Sequence, residues 1–123
     1  MAMAVLPDDA LVVRGGLNLP KNFEQGSGVG KDSDGKLDEV SVNSAVGVTV
    51  AELAAPNSAT GYPGILNNQI GATTVGKVRA AGGDVVPSPT KKNPNHATLK
   101  GLTPDQASGL FCPTIQNPTR SKK

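Results

Sequence analysis

Glycine and proline punctuate this chain so often that it can only fold as short elements joined by loops. Fifteen glycines and ten prolines are spread over 123 residues, and each proline inside a helix or central strand removes a backbone donor. That share still lies below the composition of a wholly disordered chain. The core must also be built without bulk. With two Phe, one Tyr and no Trp, the interior rests on Val, Leu, Ile and Ala. A chain of this length makes one domain that buries a core without staples.

The remaining totals exclude several classes. A lone cysteine, Cys112, excludes an internal disulfide framework and a cysteine-based zinc cage. Met1 to Leu6 lacks the basic start and apolar run of a signal peptide. No run approaches the roughly 18 apolar residues of a membrane span, so the expectation is a soluble, cytoplasmic protein. Charge is uneven. Residues 1–76 carry four bases against eight acids, net −4, and residues 77–123 carry eight bases against two acids, net +6. A basic half of this kind fits an anionic partner or a solvated basic surface.

Residues 1–8 read as a flexible lead-in, 9–116 as one domain and 117–123 as a basic flexible tail. Within the domain, Ala10 to Gly16 is an apolar run closed by a double glycine, a buried strand. Leu17 to Lys36 is a long glycine-rich loop, and Leu37 to Ser44 a second strand. Thr49, Glu52 and Pro56 bracket a short helix as cap, capping-box partner and stop. Gln69 to Thr74 leads into a helix capped by Thr73 or Thr74 and closed at Gly82-Gly83. Asp84–Pro87 and His96–Lys100 form a hairpin across a Pro, Asn and Lys-rich loop. Thr103-Pro104 starts a last helix. The expected fold is a small single α+β domain: an antiparallel sheet, short helices on one face, and long Gly/Pro-rich loops.

Two motif-like stretches fail on spacing. Gly26-Ser-Gly-Val-Gly-Lys31 has Gln25 where a phosphate loop needs its first glycine and Asp32 where it needs Ser or Thr. Lys31 to Glu39 places Asp32 and Asp34 as in a calcium loop, but Gly30 and Ser41 occupy the positions of its first carboxylate and bidentate glutamate. An Asp-Gly turn accounts for the same residues.

The only histidine carries more promise. His96 and Thr98 are two apart on a strand and share a face. An imidazole moves protons near neutral pH, and a neighbouring hydroxyl can hold a phosphate oxygen. Lys77, Arg79, Lys91, Lys92 and Lys100 are candidate phosphate clamps. Together they meet the needs of metal-independent RNA cleavage, although His96 equally suits a structural role in its hairpin. Arg14, at a strand end before two glycines, is a further candidate phosphate ligand, and Ser41, Asn43 and Ser44 on the next strand could line the same cleft.

The stretch Gly71 to Thr90, continued through Asn95-His-Ala-Thr-Leu99 to Gly101-Leu-Thr-Pro-Asp-Gln-Ala107, resembles the terminal core of small bacterial toxin domains. These occur in toxin–antitoxin pairs and polymorphic secreted toxins, many of ribonuclease type. The resemblance, over residues 69–118, implies RNA as substrate, a protein antitoxin or immunity partner, no cofactor, and His96, Thr98 and Arg79 as catalytic or clamp positions. The chain departs from a two-base mechanism in having no second histidine and no nearby glutamate. Leu11-Val-Val-Arg-Gly-Gly16 also resembles the arginine strand of ADP-ribosyltransferases, and Val40 to Ser44 their serine strand. That resemblance implies NAD held by Arg14, with Ser41 or Ser44 supporting the nicotinamide pocket. The chain departs there too, with no glutamate after Glu52. A non-enzymatic protein-binding or structural module is the third class that fits.

Overall fold

The strand Leu37–Ala45, β3, is the spine of the fold because its alternation gives it two different faces. The computed structural model describes residues 6–19, 29–31, 36–56, 59–112 and 114–119. Around β3 the chain sets β1 (Leu11–Gly15), β2 (Val29–Lys31), β4 (Gln69–Thr74), β5 (Asp84–Pro87), β6 (His96–Lys100) and β7 (Ile115–Gln116). The helices are α1 (Val50–Ala54), α2 (Val75–Ala80) and α3 (Pro104–Phe111). The sheet runs β5-β6-β3-β1-β4-β7, with β2 also paired to β3, and each of its pairings is antiparallel. This is the α+β domain expected from the sequence.

Neighbouring residues in the strands serve different cores. Val12, Val40, Val42, Ala97 and Leu99 pack against Val75 and Val78 of α2 and Ala107 and Phe111 of α3. Val13 and Ile70 turn the other way, onto Leu53 and Ala54 of α1. The helices therefore divide between the faces, two on one and α1 on the other, rather than sharing a single face. The cause lies in β1, where Val12 and Val13 are both fully buried and so demand cover on both sides. Each such side chain taken out of water is worth roughly 1.5–3 kcal/mol.

All three helices are shorter than the ~12–15 residues that hold in isolation, so caps and packing sustain them. In α1 the Glu52 amide donates to Thr49 Oγ1 at 3.1 Å, and the Thr49 amide donates to Glu52 Oε1 at 2.8 Å. Thr103 and Gln106 repeat this box in α3, with Pro104 in its first turn. Thr74 caps α2, and the chain leaves the helix past its C-cap Ala81 through Gly82, φ 100°.

Residues near both ends contact the domain where they are described. Gly76 donates its amide to the Asp8 carbonyl at 2.8 Å, and Leu6 packs against the larger core. Asn117 is fully buried and donates through Nδ2 to the carbonyls of Ile65 and Asn67. Residues 1–5 and 120–123 lie outside the described residues, as do 20–28 and 32–35. Residues 26–28 and 32–35 of the two failed motif-like stretches therefore lie there as well.

Candidate functional site

A break in the sheet creates the site. Val40 pairs with Leu99 of β6 and Val29 of β2 at once, so β2 lies on the edge of β3 away from β6. β1 uses that same edge, but its pairing ends with Val13 opposite Asn43. Among the described residues, none is in register with Ser41 or Val42 on that side. A cleft of about 470 Å³ opens there, with Arg14, Ser41, Asn43, Tyr62, Asn93 and His96 in its wall.

The cleft needs glycine at two points on its rim. Gly64 has φ 83°, and a Cβ there would stand 2.7 Å from the Ala54 carbonyl oxygen. Only glycine lets this loop lie against the end of α1, where Ile65 donates its amide to Ala54 at 2.9 Å. A Cβ on Gly15 would collide with Asn67 and Ile65 of the same loop.

Two buried asparagines brace the walls. Asn93 Nδ2 donates to Asn43 Oδ1 at 2.8 Å. Asn43 Nδ2 donates to the Leu53 carbonyl at 2.9 Å and to Tyr62 Oη at 3.0 Å. The Asn95 amide donates to Asn93 Oδ1 at 3.2 Å. The amide groups that carry these bonds are thus satisfied, as burial requires, and they join β3, α1, the Tyr62 loop and the β5–β6 loop.

Alternation aims His96 at the cleft. Ala97 and Leu99 are buried on the α2/α3 face, so His96 and Thr98 turn to the other. His96 Nδ1 lies 3.0 Å from the Ser88 carbonyl oxygen and 2.9 Å from Ser88 Oγ. A carbonyl oxygen only accepts, so the tautomer that makes this contact a hydrogen bond carries its proton on Nδ1 and its lone pair on Nε2. Ser88 Oγ also lies 2.9 Å from Thr98 Oγ1. The sequence-marked pair His96 and Thr98 is thus joined through a serine that sequence reasoning passed over.

The other marked residues scatter. Arg14 borders the cleft, but it stands opposite Gly71, where a Cβ would strike Phe111, so its side chain lies on the α3 face. Its Nη1 donates to Asn18 Oδ1 at 3.0 Å, and burial lowers its pKa from the ordinary arginine value. Ser41 and Asn43 line the cleft. Ser44 faces the opposite core, where its hydroxyl and that of Thr73 are buried without a hydrogen-bond partner. Arg79 on α2 donates to Asp8 at 2.7 Å and to Asp84 at 3.0 Å; these hydrogen bonds raise its pKa and make it a staple, away from His96. Lys77 is exposed on α2. Lys100, four residues along β6, is roughly 13 Å from His96 at strand spacing. Lys91 and Lys92 are exposed on the loop between Ser88 and His96, and the Lys92 carbonyl accepts from Thr60 Oγ1.

In the sequence Tyr62 and Asn93 carry only turn signals, within Gly61-Tyr-Pro-Gly64 and Asn93-Pro-Asn95. Among the described residues no Asp or Glu contributes to the cleft wall, and no three His, Cys, Asp or Glu side chains converge as metal ligands. No described helix is long and apolar enough to cross a membrane. The arrangement presents an imidazole, hydroxyls and amides to the cleft. The chain matches no family model, and no significant match to it is found among curated proteins or solved structures.

Proposed function

We propose that the protein is a toxin-like ribonuclease that cleaves RNA without a metal, at the cleft beside His96. The observation that carries this reading is the His96 Nδ1 contact to the Ser88 carbonyl, which leaves Nε2 as the proton acceptor. In the reaction a ribose 2′-oxygen attacks the adjacent phosphorus and its proton passes to His96 Nε2. The bond from phosphorus to the 5′-oxygen breaks, giving a 2′,3′-cyclic phosphate and a 5′-hydroxyl. Tyr62 Oη supplies the proton that the leaving oxygen takes. It accepts from Asn43 Nδ2, which leaves its own proton free to donate. A wall with no Asp or Glu among the described residues supports an anionic substrate, and Lys91 and Lys92 supply positive charge on the adjoining loop.

The test is incubation of the purified chain with labelled RNA in the presence of a chelator. Fragments ending in cyclic phosphate are expected, with His96→Ala reducing the rate about 10²–10⁴-fold at an unchanged thermal midpoint. Intact RNA from a folded protein overturns the proposal. A second reading, ADP-ribosyl transfer, has Arg14 and Ser41 on the border of one cleft, but the Arg14 side chain lies on the α3 face. Intact RNA together with transfer of label from NAD to protein, lost in Arg14→Ala, would select it. Neither activity leaves a binding or structural module.

A further inference from the structure

The cleft has a neighbour. A second cavity of about 250 Å³ shares Tyr62 and Asn93 with it, and is otherwise walled by Glu52, Pro56, Pro94 and Asn95 among others. Tyr62 and Asn93 thus form a partition with space on both sides. The two spaces differ in chemistry. The larger has the His96 imidazole in its wall, and no Asp or Glu among the described residues. The smaller has the Glu52 carboxylate and no Lys or Arg among the described residues, so it repels phosphate. Its prolines, its tyrosine and its amides suit a neutral ring that stacks on flat side chains and is read by hydrogen bonds. Ligand pockets run from roughly 300 Å³ upward, so this volume suits one ring system with its sugar and no more. Glu52 can accept from ribose hydroxyls or exocyclic amino groups.

We propose that the smaller cavity is a second subsite, which takes the neutral nucleoside flanking the scissile phosphate, so that a dinucleotide is the shortest fully bound substrate. This rests on the ribonuclease reading for its choice of ligand, and it can be tested without turnover. Tyr62 is the only tyrosine and the chain has no tryptophan, so intrinsic emission comes from the partition itself. A dinucleoside monophosphate whose attacking 2′-hydroxyl is replaced by hydrogen binds without being cleaved. Titrated into the full chain, it should perturb the tyrosine emission and bind at least about tenfold more tightly than a nucleoside 3′-monophosphate.

Ala55→Phe, which fills the smaller cavity from its wall, should bring the two affinities together. Equal affinities in the unmodified protein, or a dinucleotide advantage that survives Ala55→Phe, overturn the proposal. Tighter dinucleotide binding with no RNA cleavage would uphold the subsite and remove the ribonuclease reading. RNA cleavage without a dinucleotide advantage would do the reverse.

Discussion

Asn43 and Asn93, 50 positions apart in the chain, share a buried amide-to-amide hydrogen bond of 2.8 Å. Asn43 is also the cross-strand partner of His96 and a donor to Tyr62. One side chain therefore sets the spacing of the two groups to which proton transfer is ascribed.

Asn43→Leu keeps the branched outline of the side chain but strands the Leu53 carbonyl and Asn93 Nδ2. Each buried group left unpaired costs about 1–3 kcal/mol. Urea unfolding should show a loss of about 2–5 kcal/mol, and a loss below about 1 kcal/mol would show that the network relaxes easily.

Tyr62→Phe removes only the hydroxyl, and Asn43 Nδ2 keeps its bond to Leu53. If Tyr62 protonates the leaving oxygen, kcat on RNA should fall about 10²-fold or more while the thermal midpoint stays nearly constant. Undiminished kcat would assign that proton to water.

On the opposite face, Thr73 buries a hydroxyl without a partner. Thr73→Val keeps the shape and discards the unpaired group, so it should stabilise the fold by about 1 kcal/mol. A lower melting temperature would mean that the hydroxyl is satisfied in solution.

Lys91 and Lys92 stand exposed on the loop that begins at Ser88. If both meet phosphates of single-stranded RNA, Lys91→Ala with Lys92→Ala should flatten the plot of log affinity against log salt by about 1.4, near 0.7 per contact. An unaltered slope would move the RNA path off this loop.

Gly64→Ala introduces a Cβ 2.7 Å from a backbone oxygen at a φ of 83°. Both the strain and the clash should destabilise, by at least about 1–2 kcal/mol, and RNA cleavage should fall with displacement of the Tyr62 loop. Wild-type stability would show that the loop shifts without cost.

Much of the fold could be read from local chemistry. Thr49 with Glu52 and Thr103-Pro104 announce helix starts through groups close in sequence, and the hairpin Asp84–Pro87 to His96–Lys100 has the bounds that its turn residues mark. What escaped was long-range. Nothing local says that β1 and β2 would line up on one edge of β3, or that Val12 and Val13 would both need cover. The site divides in the same way. His96 and Thr98 share a face by simple alternation, whereas Ser88, Tyr62 and Asn93 reach it through loops read only as turns. Arg79 looked like a clamp because charge is visible in a sequence, while its partners Asp8 and Asp84 become neighbours only in the folded chain.

The interruption between β1 and β2 has a meaning for how such a protein changes over generations. Its recess is made by where strands stop, so substitutions in the walls alter what enters without closing the opening. Outside the positions that hold them in place, Tyr62, Gly64, Ser88 and Asn93, the segments 59–68 and 88–95 can vary while β3 and β6 go on presenting the same floor. The architecture is then carried by the strands, and the shape of the recess by the loops around them.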